Sequence, residues 1–297
     1  MSTPVGTKVF ISMMEHIGDI VACEPAARLV KAMFPGCILY WVTSRKFASL
    51  VKFNPYIDAV VELECLGEWA RLQANLNEVV FDLNVNHKVC AHCGVQLNKR
   101  QDAHGVDCTN WYDHGPLLPT FLKGAGLPAI ADQPRFWLQK SDLSIDARYL
   151  GRRLAVIHPK STDVQREWTL DRWAGLTAWL RLKGFAVLEV GLAASGIPGV
   201  EFFNSQDFQE IANLINTSDV FIGIDSGFAH FANALEIPSV ILLGKFRHWE
   251  NYTPYTGTFH ARSRIVRPFP LFQGKRTAEI EVDAVCKAVL SLDLGLA

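Results

Sequence analysis

Asp225, Ser226 and Gly227 close an apolar run (Val220, Phe221, Ile222, Ile224) and open a stretch with helical spacing, "GFAHFANALE", in which His230 lies four residues beyond Ser226. If the run is a parallel strand, these small residues sit at its carboxyl end and at the N-terminus of the next helix. Free backbone N–H groups and the helix dipole favour an anion there. Gly227 lets a ligand approach the backbone, Ser226 offers a hydroxyl, and His230 shares the helical face of Ser226. Phosphate suits this set. Asp225 repels phosphate unless it caps the helix or accepts ligand hydroxyls, so a supporting role is expected of it. Two other readings stay open on these residues alone. One is an ordinary Asp N-cap beside a core histidine. The other is a nucleophile elbow with Asp225 where that motif has Ser.

Two further junctions carry candidate chemistry. "SMMEHIGDIVACEPAARL" has Gly18 as its single glycine, so it is neither a dinucleotide fingerprint nor a P-loop. Asp19 there is either a helix-start carboxylate favoured by the dipole or, facing a cleft, a general base. "IHPKSTDVQREW" supplies Lys160 and Arg166, two cations able to neutralise a diphosphate, with Trp168 expected to anchor the loop in the core. A solvated loop explains the same charges.

The cysteine-containing stretch is less regular. Cys90-x-x-Cys93 has zinc-ligand spacing, and Cys108, His87, His92 and His104 are nearby, but a second Cys-x-x-Cys is missing. Metal-free thiols are the expected state.

Strands alternating with helices must position these residues. "KVFISM", "CILYWVT", "AVVEL" and "EVVFDLN" read as strands, and Asp19–Phe34, "RKFASLVKF", "GEWARLQANL" and "GPLLPTFLKGAGLP" as helices. Residues 86–113 read as a helix and a loop, "PRFWLQ" as extended, and the polar stretch 140–153 as a linker. The alternation then restarts with strands "LAVIHP", "FAVLEVG", "DVFIGID" and "SVILLG". The helices between them are "DRWAGLTAWLRLKG", "DFQEIANLINTS" and "GFAHFANALE", and a last one spans Glu279–Leu292. The expected fold is α/β, two doubly wound Rossmann-like domains (1–145 and 146–297) facing each other across a cleft. The last helix is allowed to pack back on the first domain.

The bulk numbers set limits. A chain of 297 residues, 49% hydrophobic and 20% charged, is long enough for two ordinary cores. Lys plus Arg (29) balances Asp plus Glu (30), so no global field draws nucleic acid. No signal peptide or membrane span is visible, and seven scattered cysteines do not make a secreted disulfide framework. A cytoplasmic location is expected.

"HIGDIVACEPAARLVKAMFPG", "NPYIDAVVEL", "REW" and "DVFIGIDSGFAHFANALEIPSVILLG" together resemble glycosyltransferase family 9, the bacterial heptosyltransferases. The resemblance implies a GT-B fold and an inverting, metal-independent transfer of a sugar, heptose first, from a nucleotide-sugar donor such as ADP-heptose to an acceptor hydroxyl. No cofactor is implied. Asp19 matches the family's general base, with His16 and Gly18 beside it in the acceptor loop. Arg166, where the family usually has Lys, matches a donor-phosphate contact, and Lys160 joins it. Asp225, Ser226, Gly227 and His230 match the donor block, and Glu189 lies near the ribose position. The acceptor stays open between lipopolysaccharide core, a protein and a small molecule, and a transient membrane-surface contact is compatible with the first of these. A non-catalytic nucleotide- or sugar-binding module and a nucleotide-sugar hydrolase are the alternatives. One departure is that Gly244 is followed by "KFRHWENY" where the family commonly has a Gly-Pro-Thr-type loop.

Overall fold

A computed structural model describes residues 6–97, 104–139, 149, 151–245, 252–268 and 276–295. The chain divides into two compact units, one made of residues 1–137 and 252–257, the other of 138–251 and 258–297. Most of the expected linker and residues 246–251 of the unusual loop lie outside the described residues.

Unit 1 holds β1 (Lys8–Ser12), α1 (Ile17–Ala22), α2 (Pro25–Met33), β2 (Ile38–Ser44), β3 (Ala59–Leu63), α3 (Leu66–Gln73), β4 (Val79–Asp82) and α4 (Leu117–Gly124). Its sheet runs β3-β2-β1-β4 with every pair parallel. Val9, Ile11, Leu39 and Trp41 are fully buried, because a parallel sheet covered by helices hides both faces of its central strands.

Several expectations for this unit are corrected. Asp19–Phe34 is two helices rather than one, broken at Cys23–Glu24, where Pro25 opens the second. Proline lacks the N–H that would continue the first ladder, yet fits the first turn of a new one. The buried Glu24 carboxylate then accepts from Arg28, Asn54, the Arg135 N–H and Trp137 Nε1. The segment expected as extended, "PRFWLQ", is thus tied to a side chain, and it pairs with no strand among the described residues. Arg45–Leu50 is helical as expected, in the 3-10 form. Within 86–113 the described residues contain an antiparallel bridge, Val89 with Gln96, and a 3-10 turn at Trp111–Asp113, but no α-helix.

Unit 2 holds β5 (Arg153–His158), α5 (Leu170–Leu182), β6 (Phe185–Glu189), β7 (Glu201–Phe202), α6 (Phe208–Asn216), β8 (Val220–Ile224), α7 (Gly227–Ala234), β9 (Ser239–Leu242), α8 (Phe259–Arg262), β10 (Ser263–Val266) and α9 (Val282–Leu290). The sheet order is β10-β9-β8-β5-β6-β7, again all parallel. Read from the other edge, this is the doubly wound dinucleotide-fold order. Trp173, Leu176 and Leu180 of α5 and Val285 and Val289 of α9 pack on Ile157, Ile222 and Val240. The last helix therefore belongs to the core of unit 2, and the return to unit 1 is made by Tyr252–Gly257. No helix among the described residues is long and apolar enough to cross a membrane.

Strand order reverses once in each sheet, between β1 and β4 in unit 1 and between β5 and β8 in unit 2. At such a point the connections leave the carboxyl ends in opposite directions and open a crevice where α/β sheets bind ligands.

Candidate functional site

The switch point of unit 2 gathers the loop after β5 and the start of α7. Ser226, not Asp225, is the N-cap of α7. Its backbone is extended (φ −160°, ψ 172°), and its side chain makes no capping bond. Ser226 Oγ is buried and has no hydrogen-bond partner among the described residues. An unpaired buried hydroxyl costs about 1–3 kcal/mol.

Asp225 does not cap the helix, which corrects one of the roles expected for it. Arg166 Nη2 donates to its Oδ2 at 2.6 Å and also to its backbone carbonyl. The guanidinium cancels the charge that would repel a phosphate, and the carboxylate in turn holds the guanidinium beside the helix terminus. Trp168 anchors the loop as expected, buried with Nε1 donating to the Ile280 carbonyl at 2.8 Å. Lys160 is on the surface and paired with Glu167 at 3.1 Å, so the two cations of this loop are held by different carboxylates. Glu189 is buried, and Ser195 engages both its carboxylate oxygens through N–H (2.7 Å) and Oγ (2.8 Å). Burial pushes the Glu189 carboxyl up, against the lowering effect of Ser195 and Lys160.

His230 is 4% exposed, and burial pulls its pKa down to about 4. His158, at the end of β5, is drawn to the same value by burial. Its Nδ1 donates to the Val190 carbonyl at 2.8 Å, and its ring stands edge-on to Phe228. Both rings are neutral near pH 7, so they present hydrogen-bonding nitrogens rather than charge. An unfolded chain titrates these histidines near pH 6.5. Between that pH and 4 it takes up protons that the folded state refuses, so stability is full above the window and falls as pH falls through it. Urea unfolding at pH 7.5 and at pH 5.5, above the carboxylate range, is expected to differ by on the order of 1–3 kcal/mol. An unchanged midpoint contradicts the buried neutral pair.

The switch point of unit 1 carries Asp19. It lies in the first turn of α1, 9% exposed, and Asn86 Nδ2 donates to its Oδ2 at 2.8 Å. The loop after β4 is tied to the loop after β1 by Asn84, which accepts from the Met14 N–H (2.8 Å) and donates to Ser12 Oγ (2.8 Å). Gly18 is buried in α1. His16 is exposed, caps α1 with φ 68°, and stacks on His87 at 5.2 Å. A non-glycine residue at that φ is strained by about 1 kcal/mol or more, a feature that clusters at functional loops.

Sequence reading missed Asn84, Asn86, His158 and Arg267, and took His87 only as a neighbour of the cysteines. Asn84 ends "EVVFDLN", Asn86 and His87 follow it, and His158 ends "LAVIH", so the rule that strand carboxyl ends face ligands was enough to find them. Arg267 follows β10, a four-residue strand without a signal of its own. Its guanidinium is lowered by burial and raised by the Asp225 charge, which places it near that carboxylate. Of the cysteines, Cys90 and Cys93 come together, but with Cys65 and not with Cys108.

Two parallel sheets, one in doubly wound order, with an anion-suited helix terminus in one unit and a buried carboxylate in the other, define a nucleotide-fold α/β enzyme of the GT-B class. The chain belongs to glycosyltransferase family 9 (heptosyltransferase), whose model matches residues 117–266. That span contains Lys160, Arg166, Glu189 and the Asp225–His230 block, whereas Asp19 precedes it. Lipopolysaccharide heptosyltransferase 1 of Pseudomonas aeruginosa is 20% identical over 280 residues, covering 80% of this chain and 78% of that protein. Among solved structures, the glycosyl transferase family 9 protein from Veillonella parvula superposes with a TM-score of 0.70 at 14% identity over 97% of both chains. The E. coli heptosyltransferase WaaC with ADP gives 0.61 at 16% identity, over 96% of this chain and 97% of that one.

Proposed function

We propose that this glycosyltransferase moves a sugar, heptose first, from a nucleotide-sugar donor to an acceptor hydroxyl with inversion at the anomeric carbon and without a catalytic metal. The observation that carries the reading is the β5/β8 switch point. There the buried Ser226 Oγ, the helix terminus at Gly227 and the Arg166 guanidinium share one end of one sheet. Donor diphosphate binds at this terminus, and arriving phosphate oxygens share Arg166 with Asp225, while Lys160 and Arg267 add positive charge. As the glycosidic bond breaks, charge grows on the leaving diphosphate, and donors already aimed there stabilise it. Asp19 takes the acceptor's proton as the hydroxyl attacks, with Asn86 holding one carboxylate oxygen. ADP in the WaaC structure supports an adenine nucleotide, and the lipopolysaccharide heptosyltransferase likeness supports a lipopolysaccharide-core acceptor.

Incubation with a panel of nucleotide sugars, with and without acceptors, tests this through release of nucleoside diphosphate. Acceptor-dependent release is expected. Release without an acceptor identifies a hydrolase instead, and binding with no release a non-catalytic module. Hydrogen exchange with ADP is expected to slow at amides 223–231; slowing only before residue 137 overturns the donor assignment.

A further inference from the structure

Three cysteines from two distant stretches meet in unit 1, where the chemistry described above does not use them. The sulfurs of Cys65, Cys90 and Cys93 all lie within 4.8 Å of one another, and Cys65 Sγ and Cys93 Sγ are 3.7 Å apart. A disulfide needs about 2.05 Å. A tetrahedral zinc with Zn–S bonds of about 2.3 Å separates its sulfurs by about 3.8 Å, which this pair already matches.

The backbone around the sulfurs is arranged in the same sense. Cys90 opens a tight turn in which Gly94, at φ +69°, donates its N–H to the Cys90 carbonyl at 2.9 Å. Cys90 N–H in turn donates to the Val95 carbonyl at 2.9 Å, and Val89 bridges Gln96, so Cys90-x-x-Cys93-Gly94 is the tip of a small hairpin. The N–H groups of Cys93, Gly67 and His92 lie toward the Cys90 sulfur, and those of Glu68 and Gly67 toward the Cys65 sulfur. Gly67 N–H thus serves both sulfurs, which links the start of α3 to the hairpin tip. Gly67 completes the fit, since a Cβ there would lie 2.2 Å from Cys93 Sγ. Cys65 and Cys90 are buried, and Cys93 is exposed at the open side.

We propose that Cys65, Cys90 and Cys93 hold a structural zinc ion through three thiolates, the fourth position being filled by a ligand outside this trio. Binding forms three Zn–S bonds, and the three thiol protons leave to solvent. The ion fastens the hairpin tip to the start of α3. Asn86, which donates to Asp19, lies four residues before Cys90, so the same staple steadies the loop on which the carboxylate depends.

The full chain, purified under reducing conditions without chelator, is expected to carry about one zinc per chain by elemental analysis. After removal of zinc and addition of Co²⁺, thiolate-to-cobalt charge-transfer absorption is expected in the near ultraviolet. Cys93→Ser, at the exposed member, is expected to lose the metal while keeping its far-ultraviolet dichroism, and Gly67→Ala to weaken Co²⁺ binding at least tenfold by displacing Cys93 Sγ. Cys108→Ser is expected to keep the metal. Metal-free protein that gives no thiolate–cobalt band overturns the proposal, as does a zinc content lost in Cys108→Ser but retained in Cys93→Ser. Thiol counting that finds Cys65 and Cys93 oxidised to a disulfide in active protein overturns it as well.

Discussion

Asp19→Asn is expected to lower turnover on the order of 10²-fold or more while leaving donor binding in place. The substitution keeps the size of the side chain and an oxygen able to accept from Asn86 Nδ2, so the link between the loops after β1 and β4 survives. What is removed is the carboxylate charge and, with it, the proton affinity. Asp19 is in the first turn of α1 and is not its N-cap, so little helix stability rides on the change. Because the base works ionised, the acid limb of the pH–rate profile belongs to this carboxylate and should vanish in the variant. Initial rates across pH, with donor affinity measured in parallel by calorimetry, check both statements. Near-normal transfer by Asp19→Asn would remove it from the chemistry and leave the fold untouched.

Gly227→Val is expected to weaken donor binding by about tenfold or more, because a branched side chain then stands where phosphate approaches the first N–H groups of α7. Gly227 is not among the residues with positive φ, so valine suffers no backbone strain there. Loss of affinity without loss of thermal stability is therefore the expected pattern, with Gly227→Ala intermediate. Unchanged donor affinity in Gly227→Val would mean that Asp225–Gly227 only terminates a strand and starts a helix.

The parallel strands were legible because each is a β-branched or aromatic run bounded by turn residues, and long helices such as α5 carried their own period. What escaped has physical causes. A single turn of broken periodicity at Cys23–Glu24 is invisible when apolar residues continue on both sides, and only Pro25 hinted at it. β7 has only two residues, and β10 opens on the polar pair Ser263-Arg264 and so shows no apolar run. In the candidate site, Asp225 and Arg166 were legible singly. That they pair depends on β5 and β8 being neighbours, which is a property of sheet order and not of local sequence. Cys65 was passed over for the same reason. It lies 25 residues before its partners in the chain, and only the packing of α3 brings it to them.

The return of Tyr252–Gly257 to unit 1 bears on how the chain is made and how it can be cut. Tyr255 is 2% exposed, and the ring of Tyr252 stands edge-on to Trp111. The Pro254 carbonyl accepts from Leu117 at the start of α4, and Thr256 and Gly257 bond to the Asp132 and Ala131 carbonyls. Gly257, at φ +73°, lies so close to Gln133 that a side chain there would meet its backbone. A ribosome delivers residues 1–137 first, yet those partners arrive only after residues 138–251 have been added. The N-terminal half therefore waits for the Tyr252 ring beside Trp111 and the Pro254 carbonyl on Leu117 N–H until nearly the whole polypeptide has emerged. For the same reason, a gene fragment ending near residue 140 does not encode a finished domain, and an expression fragment for unit 1 has to carry the 252–257 segment by circular permutation or fusion.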